Sequence, residues 1–248
     1  MGLRKRGFLL SVRVERDPEV PADYASALPA VADLDGFRFH PAVTFLVGAN
    51  GSGKSTVLEA VAVAAGLNPE GGSRSFNFAS RPSHSTLHRH LVLEWGAKPR
   101  TDFFLRAESF YNVASRLDEM GGLQYYGGIS LHDQSHGQSF LAVVVNRFSG
   151  DGLFFLDEPE AALSPQGQLA LLRAIHDRVG DGCQFVIATH SPILVAYPDA
   201  AIHECGDHGI RPVGFDEAPQ VDLYRSFLDR PDRYLHHLLA DEDAELDR

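Results

Sequence analysis

Residues 43–55, VTFLVGANGSGKS, decide the fold of this 248-residue chain. Val43–Val47 is a short apolar run that ends at a glycine, which predicts a buried parallel strand. Lys54–Ala65 predicts a helix. Between them, Gly48–Ser55 fits the pattern G-x-x-x-x-G-K-[ST] at every fixed position. This order of strand, glycine-rich turn and helix predicts a loop whose backbone N–H groups surround a phosphate at the positive end of the helix.

The residues of this loop have separate expected tasks at a nucleotide. Lys54 is placed to reach the β- and γ-phosphates, and the Ser55 hydroxyl is placed to ligate Mg²⁺. A chance glycine-rich turn is the alternative, and the strand before it and the helix after it weigh against that alternative. Because the chain has no guanine-reading Asn-Lys-x-Asp segment, we expect ATP and Mg²⁺ as cofactors. The expected nucleotide contacts are Gly48, Asn50, Gly51, Ser52, Gly53, Lys54, Ser55 and Thr56.

An acidic pair follows a second apolar run. Leu153–Leu156 predicts a strand, and Asp157 and Glu158 come directly after it. Alone, such a pair is usually a solvated turn. About 100 residues after a phosphate loop, it is more typical of a metal-and-base pair, in which Asp157 holds Mg²⁺ through water and Glu158 activates the attacking water.

The chain is acidic, with a formal net charge of −11. This charge argues against a broad electrostatic grip on DNA or an anionic membrane, although a local basic patch is compatible with it. The only two cysteines, Cys183 and Cys205, imply no disulfide framework, so we expect a reduced, cytoplasmic setting. No apolar run reaches the roughly 18 residues that a membrane span needs, so we expect no membrane insertion.

Strand and helix patterns alternate along most of the chain. This alternation predicts an α/β fold with a largely parallel sheet and helices on both faces. The apolar run Phe140–Phe148 fits either a strand or a buried helix by its pattern alone. The other predicted strands are Phe8–Val14, Phe37–Phe39, Leu91–Trp95, Phe103–Arg106 and Phe185–Ala188, with a hairpin over Ala201–Val213; the other predicted helices are Glu108–Met120, Pro165–Val179 and about 219–240.

Four further segments resemble motifs of the ATP-binding-cassette (ABC) ATPases, in the order that the family has them. Gln134–Gln138 resembles the signature motif LSGGQ, with Gln and His in place of the Leu and the first Gly. Asp157–Glu160 matches the extended acidic motif, including its proline. Ala162–Ser164 resembles the D-loop, and Thr189–Ser191 follows a predicted strand as the switch histidine of the family does.

The resemblance covers about residues 8–215 and implies a P-loop NTPase fold. That fold has a mostly parallel central sheet, an N-terminal antiparallel β portion and a small helical subdomain that carries the signature. A single domain over residues 1–248 would contain this subdomain within about residues 70–148 and end in an acidic tail at 241–248. The layout looks most like small stand-alone ATPases of the cassette superfamily, in which a Ser-His-Gly signature and a segment similar to Phe103–Asn112 occur.

A head-to-tail homodimer with two ATP molecules between its subunits is also implied by the resemblance. Ser135 and the amides near Gly137 would begin a helix that points at the γ-phosphate bound by the other subunit. His190 would hydrogen-bond that phosphate and orient the water that Glu158 activates. Lys54, Glu158 and His190 are the implied catalytic residues, and an ATP-hydrolysing dimerisation switch is the implied function.

Two positions of the family pattern are uncertain in this chain. The family has a Gln between the phosphate loop and the signature that touches Mg²⁺, and this chain has no Gln from Ser52 to Gly122. Glu108 is the best positional substitute; it would either ligate Mg²⁺ or cap the next helix. Tyr24 would either stack on adenine, as an aromatic upstream of the loop does in the family, or serve as a core or loop aromatic.

Two other functions use the same nucleotide chemistry. An ATPase subunit of an ABC transporter would need a membrane partner that contacts the altered Gln segment. An ATP-gated clamp or DNA-repair head would need a basic surface, and the concentrated basic stretch comprising Arg81, His84 and His88–His90 is more typical of a solvated loop. The presence of Glu158 favours hydrolysis over binding alone.

Overall fold

The computed structural model describes residues 7–21, 23–74, 85–110 and 135–240. Most of the predicted helix Glu108–Met120 lies outside these ranges, and so do Arg81, His84, Gln134 and the acidic tail. The predicted helical subdomain therefore stays an expectation, apart from its last helix.

The central sheet has six strands in the order β5-β6-β7-β3-β8-β9. All neighbours in it are parallel except β8 and β9, which form the predicted hairpin. Because parallel strands end at one edge, the segments after β3, β5, β6 and β7 meet there. The six strands are β3 (Val43–Val47), β5 (Thr101–Arg106), β6 (Gly152–Asp157), β7 (Gln184–Ala188), β8 (Ala201–Gly206) and β9 (Gly209–Pro212).

A smaller antiparallel sheet in the order β2-β1-β4 lies beside the central one. Helices cover both faces of the central sheet, as predicted. The strands of the small sheet are β1 (Leu9–Val14), β2 (Phe37–Arg38) and β4 (Leu91–Trp95). The helices are α1 (Pro29–Ala32), α2 (Lys54–Ala64), α3 (His136–Arg147), α4 (Pro165–Gly180), α5 (Pro192–Val195), α6 (Pro219–Asp229) and α7 (Pro231–Leu238).

The core has two halves, one on each face of the central sheet. In β6, Phe154 and Leu156 pack into the half that contains α3 and α4, whereas Leu153 and Phe155 pack into the half that contains α2 and the small sheet. All four side chains are buried because successive residues of a strand point to opposite faces. This double burial explains why the parallel strands are continuous apolar runs.

Local capping decides where the helices begin. The Ser164 hydroxyl accepts a hydrogen bond from the Gly167 N–H at 3.2 Å and begins α4. Ser135 and Gln138 form a reciprocal capping box at the start of α3. The run Phe140–Phe148, which was ambiguous by pattern, is therefore mostly helical.

Gln184 joins the two sheets. Its fully buried side chain accepts a hydrogen bond from the Leu9 N–H at 2.9 Å and donates to the Leu9 carbonyl at 2.8 Å and the His40 carbonyl at 2.9 Å. The N–H and C=O of Leu9, at the start of β1, are satisfied in this way.

The predicted fold class is confirmed: the protein is a mixed α/β structure with a mostly parallel central sheet and an antiparallel N-terminal portion. Among the described residues, no helix has the length and apolarity that crossing a bilayer requires.

Replacing Gln184 with Leu should destabilise the protein, because it strands the buried N–H and C=O of Leu9. We expect a loss of about 3 kcal/mol, which lowers Tm by about 6–12 °C in calorimetry. Gln220→Leu is the control, since Gln220 is also buried but its side-chain nitrogen has no hydrogen-bond partner among the described residues. Equal Tm values for the two variants would contradict the role assigned to Gln184.

Candidate active site

The phosphate loop runs from β3 to α2 through glycines in left-handed conformations. Gly48, Gly51 and Gly53 have φ values of 139°, 77° and 92°. A Cβ on Gly48 would lie 2.2 Å from the Cys205 carbonyl oxygen of β8, so no side chain fits there. The glycines therefore let the loop turn tightly against the neighbouring strand and leave Asn50 and Gly51 exposed at its crest.

Two polar groups of the loop are buried and suited to an anion. The Lys54 side chain is buried, and its Nζ donates to the Ala49 carbonyl at 2.9 Å across the loop. Burial lowers the pKa of Lys54, against the opposing effect of the nearby Glu158. The Ser52 hydroxyl is buried without a hydrogen-bond partner in the described part of the chain. An unsatisfied hydroxyl and an ammonium beside a helix start fit a phosphate.

Asp157, the last residue of β6, supplies a buried carboxylate. Burial raises the pKa of Asp157 to about 6, although Arg106 and a hydrogen bond from the Ser55 hydroxyl favour its ionised form. Its Oδ1 is buried and has no hydrogen-bond partner within the described ranges. Those ranges contain no cluster of three or more His, Cys, Asp and Glu side chains suited to a metal. A hydroxyl and an orphaned carboxylate oxygen are instead the donor set of an Mg²⁺ that completes its shell with phosphate and water.

Arg106 was not identified from the sequence, and it lies beside Asp157. The parallel register pairs these two residues at the ends of β5 and β6. Arg106 Nε is 3.4 Å from Asp157 Oδ2, and Arg106 Nη1 is 2.6 Å from Glu59 Oε2 on α2. Nη1 also donates to the Pro69 carbonyl at 3.1 Å. The sequence signal for Arg106 was a charged residue at the end of an apolar strand. That signal does not show that Asp157 is its neighbour, because the pairing depends on the order of the strands in the sheet.

Glu158 and His190 face each other across the same edge of the sheet. Glu158 has φ and ψ of 48° each, which is a left-handed conformation that costs a non-glycine residue free energy. Its Oε1 is 3.6 Å from His190 Nε2, which is too long for a hydrogen bond. Burial lowers the pKa of His190, and the positive charge of Lys54 lowers it further. The negative charges of Glu158 and Glu160 act in the opposite direction. A neutral imidazole there can both donate and accept hydrogen bonds.

Glu160 belongs to the acidic motif but had no predicted task. Its carboxylate accepts a hydrogen bond from the Thr189 hydroxyl at 2.7 Å and another from the His190 N–H. Glu160 therefore joins two segments of the site. The turn that follows Glu158 is held to Thr189 and to the backbone of His190.

The signature residues lie at the start of α3. Ser135 is exposed, its hydroxyl accepts from the Gln138 N–H at 3.4 Å, and the Gln138 side chain accepts from the Ser135 N–H at 3.1 Å. A Cβ on Gly137 would lie 3.1 Å from the Ala162 carbonyl oxygen, so the first turn of α3 packs on the segment after Glu158. Capping accounts for Ser135 and Gln138 within one subunit, and contact of Ser135 with a second nucleotide stays a prediction.

Glu108 and Tyr24 line a cavity of about 350 Å³ together with Ser55 and Thr56. Glu108 is almost fully exposed, and its Oε2 is 3.8 Å from Arg106 Nη2. Tyr24 is 64% exposed, so it is not a core aromatic. Both side chains are beside the phosphate loop, and their predicted contacts with Mg²⁺ and adenine stay predictions.

Comparison with known proteins identifies the family of the chain. A family model described as "AAA domain, putative AbiEii toxin, Type IV TA system" matches residues 43–119 and 122–196, more than half of the chain. A curated relative, "ABC transporter G family member STR2" of Medicago truncatula, is 25% identical in an alignment of 181 residues that covers 64% of this chain. The chain spans 25% of the length of that relative.

Two solved structures are similar in fold. The SMC head domain from Thermotoga maritima is 14% identical, with 84% of this chain and 99% of that chain covered and a TM-score of 0.44. CbiO1 from Clostridium perfringens, described as part of the ABC transporter complex cbiONQ, is 19% identical, with 94% and 100% covered and a TM-score of 0.47.

Replacing Arg106 with Met should destabilise the nucleotide-free protein, because the buried Asp157 carboxylate and the partly buried Glu59 carboxylate lose their cation. At pH 8 we expect a loss of about 3 kcal/mol and a fall in Tm of about 6–12 °C. The fall should be smaller at pH 5, because the raised pKa of Asp157 leaves that carboxyl protonated in the folded state.

Arg74→Met is the matched control for this prediction. Arg74 Nε pairs at 2.7 Å with Oδ2 of Asp102, which lies on β5 four residues before Arg106, and the Arg74 side chain is more exposed than that of Arg106. Its replacement should lower Tm less and should not share the pH dependence. A Tm loss for Arg106→Met that is the same at pH 5 and pH 8 would refute the charge-based explanation.

Proposed function

The chain belongs to this AAA-domain family of ABC-type P-loop ATPases, and on that premise we propose that it binds Mg·ATP and hydrolyses it as an ATP-dependent dimerisation switch. The single observation that carries the proposal is the meeting of four groups at one edge of the sheet. These are the Lys54 ammonium, the orphaned Asp157 Oδ1, the Glu158 carboxylate and the His190 imidazole.

The phosphate loop would hold the nucleotide. Lys54 would exchange its bond with the Ala49 carbonyl for one with the β- and γ-phosphates. The unsatisfied Ser52 hydroxyl and the amides at the start of α2 would donate to phosphate oxygens. When bound at Ser55 and Asp157, Mg²⁺ would neutralise charge on the β- and γ-phosphates. These contacts would position the γ-phosphate at the edge where Glu158 lies.

Glu158 and His190 would act on the attacking water. The Glu158 carboxylate would accept its proton, as a half-exposed carboxylate can do. The 3.6 Å gap between the two side chains would be closed by a shared hydrogen-bonding group, the water or a γ-phosphate oxygen. His190 would donate to the phosphate through Nε2 and so hold the water in line.

A second subunit would complete the site. The N-terminus of α3 has an exposed Ser135, and helix starts bind anions. Ser135 is a small side chain at this exposed start, so a γ-phosphate on another subunit can approach its amides. Each nucleotide would be bound by the phosphate loop of one subunit and the α3 N-terminus of the other, and we call each of these two surfaces a half-site. A homodimer with two such shared sites would close on ATP and open after hydrolysis. A transporter subunit or an ATP-gated clamp would use the same half-sites.

Three variants separate binding, turnover and dimerisation. Lys54→Ala should weaken binding of a fluorescent ATP analogue at least about 100-fold, since it removes a buried phosphate-binding charge.

Glu158→Gln should bind ATP normally, hydrolyse it at least about 100-fold more slowly and accumulate as the ATP-bound dimer.

Ser135→Arg should bind ATP with unchanged affinity but lose turnover, because the larger side chain blocks the partner's phosphate.

Phosphate release, equilibrium binding and light scattering test these outcomes with ATP and Mg²⁺ present. A Ser135→Arg variant that hydrolyses ATP at the wild-type rate would refute the shared site. A Glu158→Gln variant that hydrolyses ATP at the wild-type rate would refute the role of Glu158 as the general base. Unchanged ATP affinity in Lys54→Ala would refute the nucleotide site itself.

A further inference from the structure

His190 is held from both sides by the side chains of its two neighbours in the chain. The Thr189 hydroxyl donates a hydrogen bond to Glu160 Oε2 at 2.7 Å, and the Ser191 hydroxyl donates one to Gln168 Oε1 at 2.6 Å. Both neighbours are buried. They are also bonded to each other, since the Ser191 N–H donates to Thr189 Oγ1 at 2.9 Å. The backbone of His190 therefore lies between two polar anchors.

The anchor at Ser191 leads into α4. Gln168 is the fourth residue of that helix, and its amide group makes two hydrogen bonds at once. Its Oε1 accepts from the Ser191 hydroxyl, and its Nε2 donates to the Leu163 carbonyl at 3.3 Å. Leu163 belongs to the segment that resembles the D-loop. One side chain of α4 thus connects that segment to the residue that follows His190.

The two anchors are joined again in the turn that follows Glu158. The Leu163 N–H donates to the Glu160 carbonyl at 3.0 Å. The hydrogen bonds therefore form a closed circuit, which we call the His190 frame. A polar network of this kind is rigid when its members satisfy one another. The frame comprises Glu160, Leu163, Gln168, Thr189 and Ser191.

The imidazole at the centre of the frame has a nitrogen without a partner. His190 Nε2 is buried and has no hydrogen-bond partner among the described residues, and Glu158 Oε1 lies 3.6 Å from it. A buried polar atom left unsatisfied in this way is typical of a group that awaits a ligand. The backbone is held while Nε2 stays available, which is the arrangement that a preorganised functional group requires.

We propose that Gln168 is a positioning residue for His190. Gln168 would not touch the nucleotide; it would act by fixing Ser191 and, with it, the backbone that carries the imidazole. This role rests on the proposed function, in which His190 donates to the γ-phosphate and holds the attacking water in line.

Ser191 has a second task that does not need Gln168. Its Oγ accepts hydrogen bonds from the N–H groups of Ile193 and Leu194, both at 3.1 Å, and so begins α5. Without the Gln168 amide, α5 would keep its cap, but the start of α5 and the His190 backbone would be free to shift together. The expected consequence of losing Gln168 is a misplaced imidazole in a folded protein.

The variant Gln168→Met tests the proposal, because Met has a similar length and makes neither hydrogen bond. We expect kcat for ATP hydrolysis to fall at least about 10-fold, because small misplacements of a catalytic group slow a reaction strongly. The affinity for ATP should change by less than about 3-fold, since the phosphate loop is untouched. Gln166→Met is the matched control; Gln166 is exposed on the same helix, and its variant should hydrolyse ATP at the wild-type rate.

A His190→Ala background separates positioning from general support of the fold. If Gln168 acts through the imidazole, Gln168→Met should lower the single-turnover rate by less than about 2-fold once that imidazole is absent. An equal fold-loss with and without the imidazole would overturn the proposal, because Gln168 would then act on other groups.

Nuclear magnetic resonance of the imidazole rings gives a readout that does not depend on turnover. The chain has 12 histidines, and the His190 signals are those missing from the spectrum of His190→Ala. In the nucleotide-free protein, Gln168→Met should shift these signals and Gln166→Met should not. Unchanged His190 signals in Gln168→Met would overturn the proposal even if the wild type hydrolyses ATP. Shifted signals together with an inactive wild type would instead refute the proposed function and support the positioning of His190 by Gln168.

Discussion

The candidate site depends on one constraint: a carboxylate is buried where the neighbouring protein charges balance it only in part. Asp157 ends a strand with neighbours on both sides, so its side chain emerges where water is largely excluded. Arg106 compensates it only in part, because the guanidinium is closer to Glu59 than to Asp157. One carboxylate oxygen keeps no hydrogen bond among the described residues. A divalent cation with phosphate oxygens around it would satisfy this group, so we expect metal and nucleotide to bind together.

The local charge balance leads to the same conclusion. Lys54 and Arg106 are the cations that interact with a larger group of carboxylates, those of Asp157, Glu158 and Glu59. Adding a polyphosphate to this edge without a metal would increase the excess of negative charge. Mg²⁺ would remove that penalty, and the buried position of the carboxylate would strengthen the attraction, since the effective dielectric constant is low there.

Local patterns predicted the parts of the site that lie within one segment. The glycine spacing and the strand–helix order were sufficient for the phosphate loop, and the apolar runs were sufficient for most strands. Arg106 and Glu160 were missed because their tasks depend on neighbours distant in sequence. Arg106 meets Asp157 only because β5 lies beside β6, and Glu160 meets His190 only because β6 lies beside β7. The C-terminal segment at about 219–240 was predicted as helical, and the structure forms it as the two helices α6 and α7.

The packing of Gly137 on Ala162 would give a physical route between the two nucleotide sites of the proposed dimer. Ala162 ends the short helical turn that begins after Glu158, and this turn also carries Glu160. A phosphate that binds at the start of α3 would therefore press on the segment that holds the base and, through Glu160, the His190 backbone. Glu158 starts from a strained conformation, so a small shift of this turn would move its carboxylate relative to His190 and to the water that the two side chains are proposed to share. Hydrolysis would then await the second subunit, because contact of that subunit's phosphate with the start of α3 would be what moves this turn.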